Sequence, residues 1–123
     1  MILADTSIWV EMFRKGRFKA ELAKLIADDQ LCAHPYVVAE LACGDIQNRQ
    51  KALIDLDKLS ALRIIPLADV RIMIEARSLA GKGIGLTDVQ LIASCLATPG
   101  THIWTLDTAL ARVAQSLGVL AMI

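Results

Sequence analysis

Short apolar runs alternating with stretches of helical period along 123 residues predict an α/β fold: five short, mostly parallel strands flanked by helices. Two further observations support it. Hydrophobic residues make up 55% of the chain against 21% charged, so most elements are buried on more than one side. Residues that start and stop helices also stand at the boundaries between the runs. The length fits one domain, residues 1–123, around a single core.

Each element follows from its residues. Ile2-Leu3-Ala4 is a buried strand closed by Asp5-Thr6-Ser7, residue types that cap a helix start, so Asp5 stands at the strand's carboxyl end. Phe18, Leu22, Leu25 and Ile26 recur at helical spacing, and Leu31-Cys32-Ala33 reads as a second strand. Pro35 suits the first turn of a helix carrying Val37, Val38, Leu41 and Ala42, with Gly44 as its stop and Glu40 in its middle. Ile46, Leu53, Leu56 and Leu59 continue a helical period. Arg63-Ile64-Ile65-Pro66 reads as a third strand and Asp69 to Ala80 as a helix stopped by Gly81. Thr87 is the expected cap of a helix beginning near Asp88, with Val89, Ile92, Ala93 and Leu96 on its apolar face. After the break at Pro99-Gly100, His102 to Leu106 forms a fourth strand ending at Asp107. Thr108 opens a helix, Gly118 closes it, and Val119 to Ile123 makes a fifth strand.

Composition excludes several classes. Seven Gly and three Pro are too few for collagen-like or low-complexity sequence, and two Trp, two Phe and one Tyr supply no aromatic platform for stacking bases. Thirteen Lys and Arg balance thirteen Asp and Glu, so no global positive field attracts a polyanion. The odd set Cys32, Cys43 and Cys95 has no CxxC spacing, which argues against a disulfide framework or a zinc knuckle and for a reducing, cytoplasmic setting. The N-terminal stretch has no basic region and is interrupted by Asp5 and Glu11, unlike a signal peptide. The longest uncharged stretch, Val89 to Leu106, contains Gln90, Ser94, Pro99 and Gly100 and fails as a membrane span.

The distribution of charge is more informative than its sum. From Gly81 to Ile123 only Lys82, Asp88, Asp107 and Arg112 are charged. In open α/β sheets the binding crevice lies beyond the carboxyl ends of the strands. Asp5 and Asp107 each follow a strand directly, the connection Gly81-Lys82-Gly83-Ile84-Gly85 leads Asp88 toward the same rim, and Glu40 lies within an apolar helix. Each acid also has an ordinary reading: Asp5, Asp88 and Asp107 as caps, Glu40 as an arginine partner. Taken together they are hard to satisfy separately. Two carboxylates about 4 Å apart repel by roughly 4 kcal/mol at an effective dielectric near 20. Hard oxygen donors without a His or Cys cluster suit Mg²⁺ or Mn²⁺, which would favour hydrolysis of a phosphodiester.

The segments Ile2-Leu3-Ala4-Asp5-Thr6-Ser7, Val38-Ala39-Glu40-Leu41-Ala42-Cys43-Gly44, Gly85-Leu86-Thr87-Asp88-Val89-Gln90-Leu91-Ile92-Ala93 and Trp104-Thr105-Leu106-Asp107, in that order, resemble PIN-domain ribonucleases, specifically VapC-type toxins of toxin-antitoxin pairs. The resemblance spans nearly the whole chain. It implies a PIN-like three-layer fold and an endoribonuclease that hydrolyses RNA phosphodiesters with a water activated by Mg²⁺ or Mn²⁺. It further implies a cognate antitoxin and a homodimer. Carried over by motif, Asp5, Glu40, Asp88 and Asp107 form the acidic, metal-holding cluster, and Ser7 and Thr105 orient ligands or water. Where the family often has a polar residue between the Thr and Asp of its last motif, this chain has Leu106.

Other features have a plain role beside a functional one. Arg14, Lys15, Arg17 and Lys19 form the dense basic cluster, placed in a turn near the first strand's exit, where it contacts RNA phosphates or is a solvated loop. Trp9, Met12, Phe13, Phe18 and Leu22, with Leu25, either pack in the core or present the surface on which the antitoxin docks. His34 and His102 are placed poorly for a two-histidine ribonuclease, Gly81 to Gly85 lacks a P-loop ending, and Cys95 reads as core. Two rival functions use the same residues. One is a non-catalytic PIN-like module whose acids bind a basic partner peptide. The other is a haloacid-dehalogenase-type phosphohydrolase with Asp5 as nucleophile, against which Ser7 stands where that chemistry employs a second aspartate.

Overall fold

The computed structural model describes residues 1–123. The elements run β1 (Ile2–Ala4), α1 (Thr6–Lys15), α2 (Lys19–Ala27), β2 (Leu31–Ala33), α3 (Pro35–Cys43), α4 (Arg49–Asp57), β3 (Ser60–Ala61), α5 (Leu67–Ala76), α6 (Leu86–Ala97), β4 (His102–Trp104) and α7 (Thr108–Ser116). The strands form one parallel sheet in the order β3-β2-β1-β4. Right-handed crossovers put α1 to α4, which lead away from β1 toward β3, on one face, and α5 to α7 on the other. The order reverses between β1 and β4. That reversal is the switch point at which a crevice opens beyond the strand ends, and Asp5 and Asp107 flank it.

The sheet has four strands, not five. Val119 to Ile123 keeps one parallel bridge, Ile103 to Leu120, through hydrogen bonds from the Ile103 amide to the Val119 carbonyl (2.7 Å) and from the Ala121 amide to the Ile103 carbonyl (2.8 Å). Beyond it the chain leaves the sheet, with Met122 93% exposed. The third strand lies at Ser60–Ala61, beside Cys32 and Ala33, rather than at Arg63 to Pro66. The reason is a helix side chain standing in for a neighbouring strand. Gln90 of α6 accepts from the Ile65 amide at 2.6 Å and donates to the Ile65 carbonyl at 3.0 Å, so Ile65 has both backbone groups satisfied without a ladder.

Around that contact runs a buried polar network. The Tyr36 amide donates to His34 Nδ1 (3.0 Å), which leaves the His34 proton on Nε2 facing Ser94 Oγ at 2.8 Å, and Ser94 donates to the Arg63 carbonyl at 2.7 Å. His34, Gln90 and Ser94 are all buried. The network ties the start of α3 to the middle of α6 and fastens the 63–65 segment beneath them.

Helix boundaries follow the local chemistry at α3 and α7 and shift at α5 and α6: α5 runs Leu67–Ala76 after the Pro66 cap, not Asp69 to Ala80, and is capped at Arg77, well before Gly81. Pro35 opens α3, Gly44 ends it, and Thr108 opens α7 after the Asp107 cap. Helix α6 begins two residues earlier than the Thr87 cap would allow: Gly85 is its N-cap and Asp88 reaches back to the Gly85 amide at 3.4 Å. The core is a cluster of 23 buried residues centred on Leu3, Ile8, Leu41, Leu91, Ile92, Ile103 and Leu110. Cys32 and Cys95 belong to it, and burial pushes their thiols up to about 11 and about 12, so neither is a nucleophile at neutral pH. Cys43 is exposed, and all three are free thiols. No helix is long and apolar enough to cross a membrane.

Replacing Gln90 by Leu should strand the buried amide and carbonyl of Ile65. Chemical denaturation is expected to show a loss of about 2–4 kcal/mol, accompanied by faster hydrogen exchange at Ile65. A pH series should report His34, whose burial lowers its pKa from the usual 6.5 to about 4. The folded state holds this ring neutral while the unfolded chain takes up a proton below about 6.5, so its contribution is complete above that pH and disappears as pH falls toward 4. That contribution is about 3 kcal/mol. His34→Asn keeps an acceptor for the cap and cannot titrate, so its stability should be flatter than wild type between pH 6.5 and 4.

Candidate acidic site at the sheet switch point

The four acids singled out in the sequence come from four elements. Asp5 follows β1 and caps α1, its amide donating to the Trp104 carbonyl of β4 at 3.0 Å, which fastens it beside the neighbouring strand end. Asp107 caps α7, accepting from the Leu110 amide at 2.9 Å. Asp88 lies in the first turn of α6, and Glu40 on α3 is reached across the crevice by Thr6, whose hydroxyl donates to Glu40 Oε1 at 2.7 Å. Asp5 is buried at 5% exposure, Asp88 is half-buried, and Glu40 and Asp107 are exposed.

Asp5 is held on all sides. Ser7 Oγ donates to its Oδ1 and Thr105 Oγ1 to its Oδ2, both at 2.5 Å, and the Ile8 amide reaches Oδ1 at 3.3 Å. The same hydroxyls accept from the next loop: Ser7 from the Leu106 amide and Thr105 from the Asp107 amide, each at 3.0 Å. Ser7 and Thr105 therefore lock Asp5 to the segment that carries Asp107. Burial raises the Asp5 pKa, and the hydroxyl and amide donors partly oppose that rise.

Electrostatics ties the set together. Burial is the largest cause of a raised Asp88 pKa, and the charges of Asp107, Asp5 and Glu40 push it the same way against the lowering hydrogen bond from Gly85. No cation relieves the group, since every ion pair in the protein uses Glu11, Asp28 or Asp55 as its acid. Glu40, Asp88 and Asp107 each keep one carboxylate oxygen without a protein donor. No three of these side chains stand close enough to hold one metal ion by direct bonds alone. The donor set is nevertheless that of a hydrated hard cation such as Mg²⁺ or Mn²⁺, which takes one or two carboxylates and keeps waters.

Other residues singled out in the sequence lie elsewhere. Arg14 and Lys15 end α1, about 15 Å along the helix from Asp5, Arg17 lies in the turn that follows and Lys19 opens α2, so the cluster is not near the exit of the first strand. Lys15 and Arg17 are drawn to Glu11, at 3.7 and 3.6 Å, and Arg17 also lies over the Phe18 ring. Among the apolar residues, Trp9 and Leu22 are buried, and Phe18 packs edge-on against Trp104. Trp9, Met12 and Phe13 line an apolar groove of about 190 Å³ with Ile26, Leu56 and Leu59. The sequence leaves open whether Thr6 or Ser7 serves the site; both do here, Thr6 holding Glu40 and Ser7 holding Asp5.

Fold and site together define a class, and comparison with known proteins agrees: the PIN domain model matches residues 2–116, and the chain belongs to the PIN-domain family. Within it the chain is of the VapC type. It is 35% identical over 119 residues to "Ribonuclease VapC32" of Mycobacterium tuberculosis, in both strain CDC 1551 / Oshkosh and strain ATCC 25618 / H37Rv, covering 97% of this chain and 94% of the relative.

Thr105→Val removes the donor to Asp5 Oδ2 and the acceptor for the Asp107 amide. Urea unfolding should show a cost of about 1–3 kcal/mol, largely restored by Thr105→Ser.

Proposed function

We propose that this protein is an endoribonuclease toxin of a toxin-antitoxin pair, hydrolysing RNA phosphodiesters with Mg²⁺ or Mn²⁺ held by Asp5, Glu40, Asp88 and Asp107. The observation that carries the reading is the gathering of four acids at the switch point with no Lys or Arg among them, three of them keeping a carboxylate oxygen without a protein donor. An ion bound there supplies an activated water and charge to stabilise the scissile phosphate. The chain's own contribution is positioning. Ser7 and Thr105 fix the Asp5 carboxylate, Thr6 fixes Glu40, and the Leu110 amide fixes Asp107, so the acids keep their places when the ion and substrate arrive. The similarity to a relative named as a ribonuclease supports RNA as substrate.

A second aspartate two residues after Asp5 would be needed for the phosphohydrolase alternative. Ser7 occupies that position and donates to Asp5. The groove lined by Trp9, Met12 and Phe13 is the proposed seat of an antitoxin segment, with Phe18 and Leu22 contributing to the core beneath it. Exposed Ile64, Leu67 and Ile72 supply apolar area for a homodimer.

Purified protein should cleave RNA only with a divalent ion, leaving 5′-phosphate and 3′-hydroxyl ends. Asp5→Asn and Asp88→Asn are each expected to lower the rate at least about 100-fold. Cleavage that persists in both variants, or 2′,3′-cyclic phosphate products, would refute the mechanism. A protein that never cleaves but binds a basic peptide through these acids would be a binding module instead.

A further inference from the structure

The last third of the chain carries two cations as well as two acids, and the fold sorts them by sign. Lys82 and Arg112, thirty positions apart, come together with Arg77 around a cleft of about 510 Å³ between the end of α5, the Gly-rich connection and α7. All three are exposed. None makes an ion pair, and no acid lines the cleft. Of the other cations, Lys15, Arg17, Lys24, Lys51 and Lys58 are paired with neighbouring carboxylates and Arg14, Lys19, Arg49, Arg63 and Arg71 are not, so what sets Arg77, Lys82 and Arg112 apart is their shared cleft without an acid.

Two walls of the cleft belong to segments that also carry rim acids. Along α7 it is lined by Ala109, Arg112, Val113 and Ser116, a single helix face that starts two residues after Asp107 and extends about 10 Å. Its other wall is the connection that delivers Asp88. Gly83, at φ +80°, lets that connection lie on the first turn of α7, where a Cβ at this position would be 3.5 Å from the Ala109 Cβ. The connection thus places Lys82 on the cleft while handing Asp88 to the rim.

We infer that the cleft lined by Arg77, Lys82 and Arg112 binds the phosphates of the RNA strand where it leaves the acidic rim, a role that rests on the ribonuclease reading above. Unpaired cations along an open track beside a hydrolytic site suit a polyanion whose charges repeat along its length. The absence of aromatic side chains from the cleft makes the contact one with backbone, tolerant of base sequence. The cleft anchors the strand next to acids that would otherwise repel it.

The test compares two triple variants that remove the same charge. One carries Arg77→Gln, Lys82→Gln and Arg112→Gln; the other carries Lys24→Gln, Lys51→Gln and Lys58→Gln, which lie outside the cleft. Binding of a labelled single-stranded RNA is followed by anisotropy with chelator present across a salt series. Three phosphate contacts correspond to a slope of log affinity against log salt shallower by about 2, so over a fourfold rise in salt wild type should lose about 20-fold more affinity than the cleft variant. The single Lys82→Gln, on an exposed connection, should change the slope by about 0.7 and guards against misfolding of the triple. With metal, the cleft variant should raise KM for long RNA while kcat, and cleavage of a dinucleotide, stay at wild-type values. A slope unchanged in the cleft variant, or equally reduced in the control, overturns the inference while cleavage by wild type still upholds the ribonuclease reading. Wild type that binds through the cleft but cuts no RNA with any divalent ion has the reverse meaning.

Discussion

Four like charges converge on one sheet rim with no cation to separate them, and most of the architecture is explained by how that convergence is tolerated. Each pair of carboxylates within about 4 Å costs roughly 4 kcal/mol at an effective dielectric near 20, less as they separate. Part of the cost is met by the helices. Asp5 and Asp107 cap α1 and α7, and Asp88 sits in the first turn of α6, so three helix N-termini, each with unsatisfied amides and a positive dipole end, face the rim together. Capping and clustering, which looked like competing explanations of these acids, are the same device. One oxygen each of Glu40, Asp88 and Asp107 is tied to a donor within the chain, which leaves the other without a protein donor.

The remaining repulsion has to be borne by rigidity, and the buried network under α6 supplies it. His34 caps the helix that carries Glu40 and meets Ser94 on the helix that carries Asp88, while Gln90 and Ser94 bind the backbone of the 63–65 segment. Residues 89–95 of α6 are buried throughout. Two acid-bearing helices are therefore anchored to each other from beneath, at groups that find no other partner in the core. Parallel pairing of β1 with β4 does the same for Asp5 and Asp107, with Ser7 and Thr105 as cross-links above the strand ends. A loosened rim would let the acids drift apart and lower the energy, at the expense of the site.

Much of this was legible in the residues. Strands at Ile2–Ala4 and Leu31–Ala33, the helix from Pro35 and the cap at Asp107 stand where apolar runs and cap chemistry put them. The rim itself was legible because acids are costly in an apolar third of the chain and need a shared explanation. What escaped was long-range and polar. Ile64 and Ile65 have strand-like side chains, but a glutamine twenty-five positions away claims the Ile65 backbone, which no local pattern encodes. Val119 to Ile123 likewise has the composition of a strand and pairs at only one residue. The basic cluster of Arg14 to Lys19 is dense in sequence, yet a helix length carries it away from the acids, whereas Arg77, Lys82 and Arg112, scattered in sequence, meet in one cleft beside the segments that carry Asp88 and Asp107.

That exchange of near for far cations bears on Leu106. A polar residue between Thr105 and Asp107 would add a side-chain donor or acceptor there; here the side chain is apolar and exposed, and the residue contributes its amide, donated to Ser7. A cation at this position would stand between Thr105 and Asp107 and offset part of the negative charge there. With Leu106 the rim keeps its undiluted negative charge, and positive charge is displaced along α7 to Arg112 and across the Gly-rich connection to Lys82. Asp107 and Arg112 are then separated by about one and a half turns of α7, far enough for neither to neutralise the other by a direct ion pair. An apolar residue at the centre of the last motif thus leaves the negative charge around Asp5 and Asp107 unopposed by any ion pair.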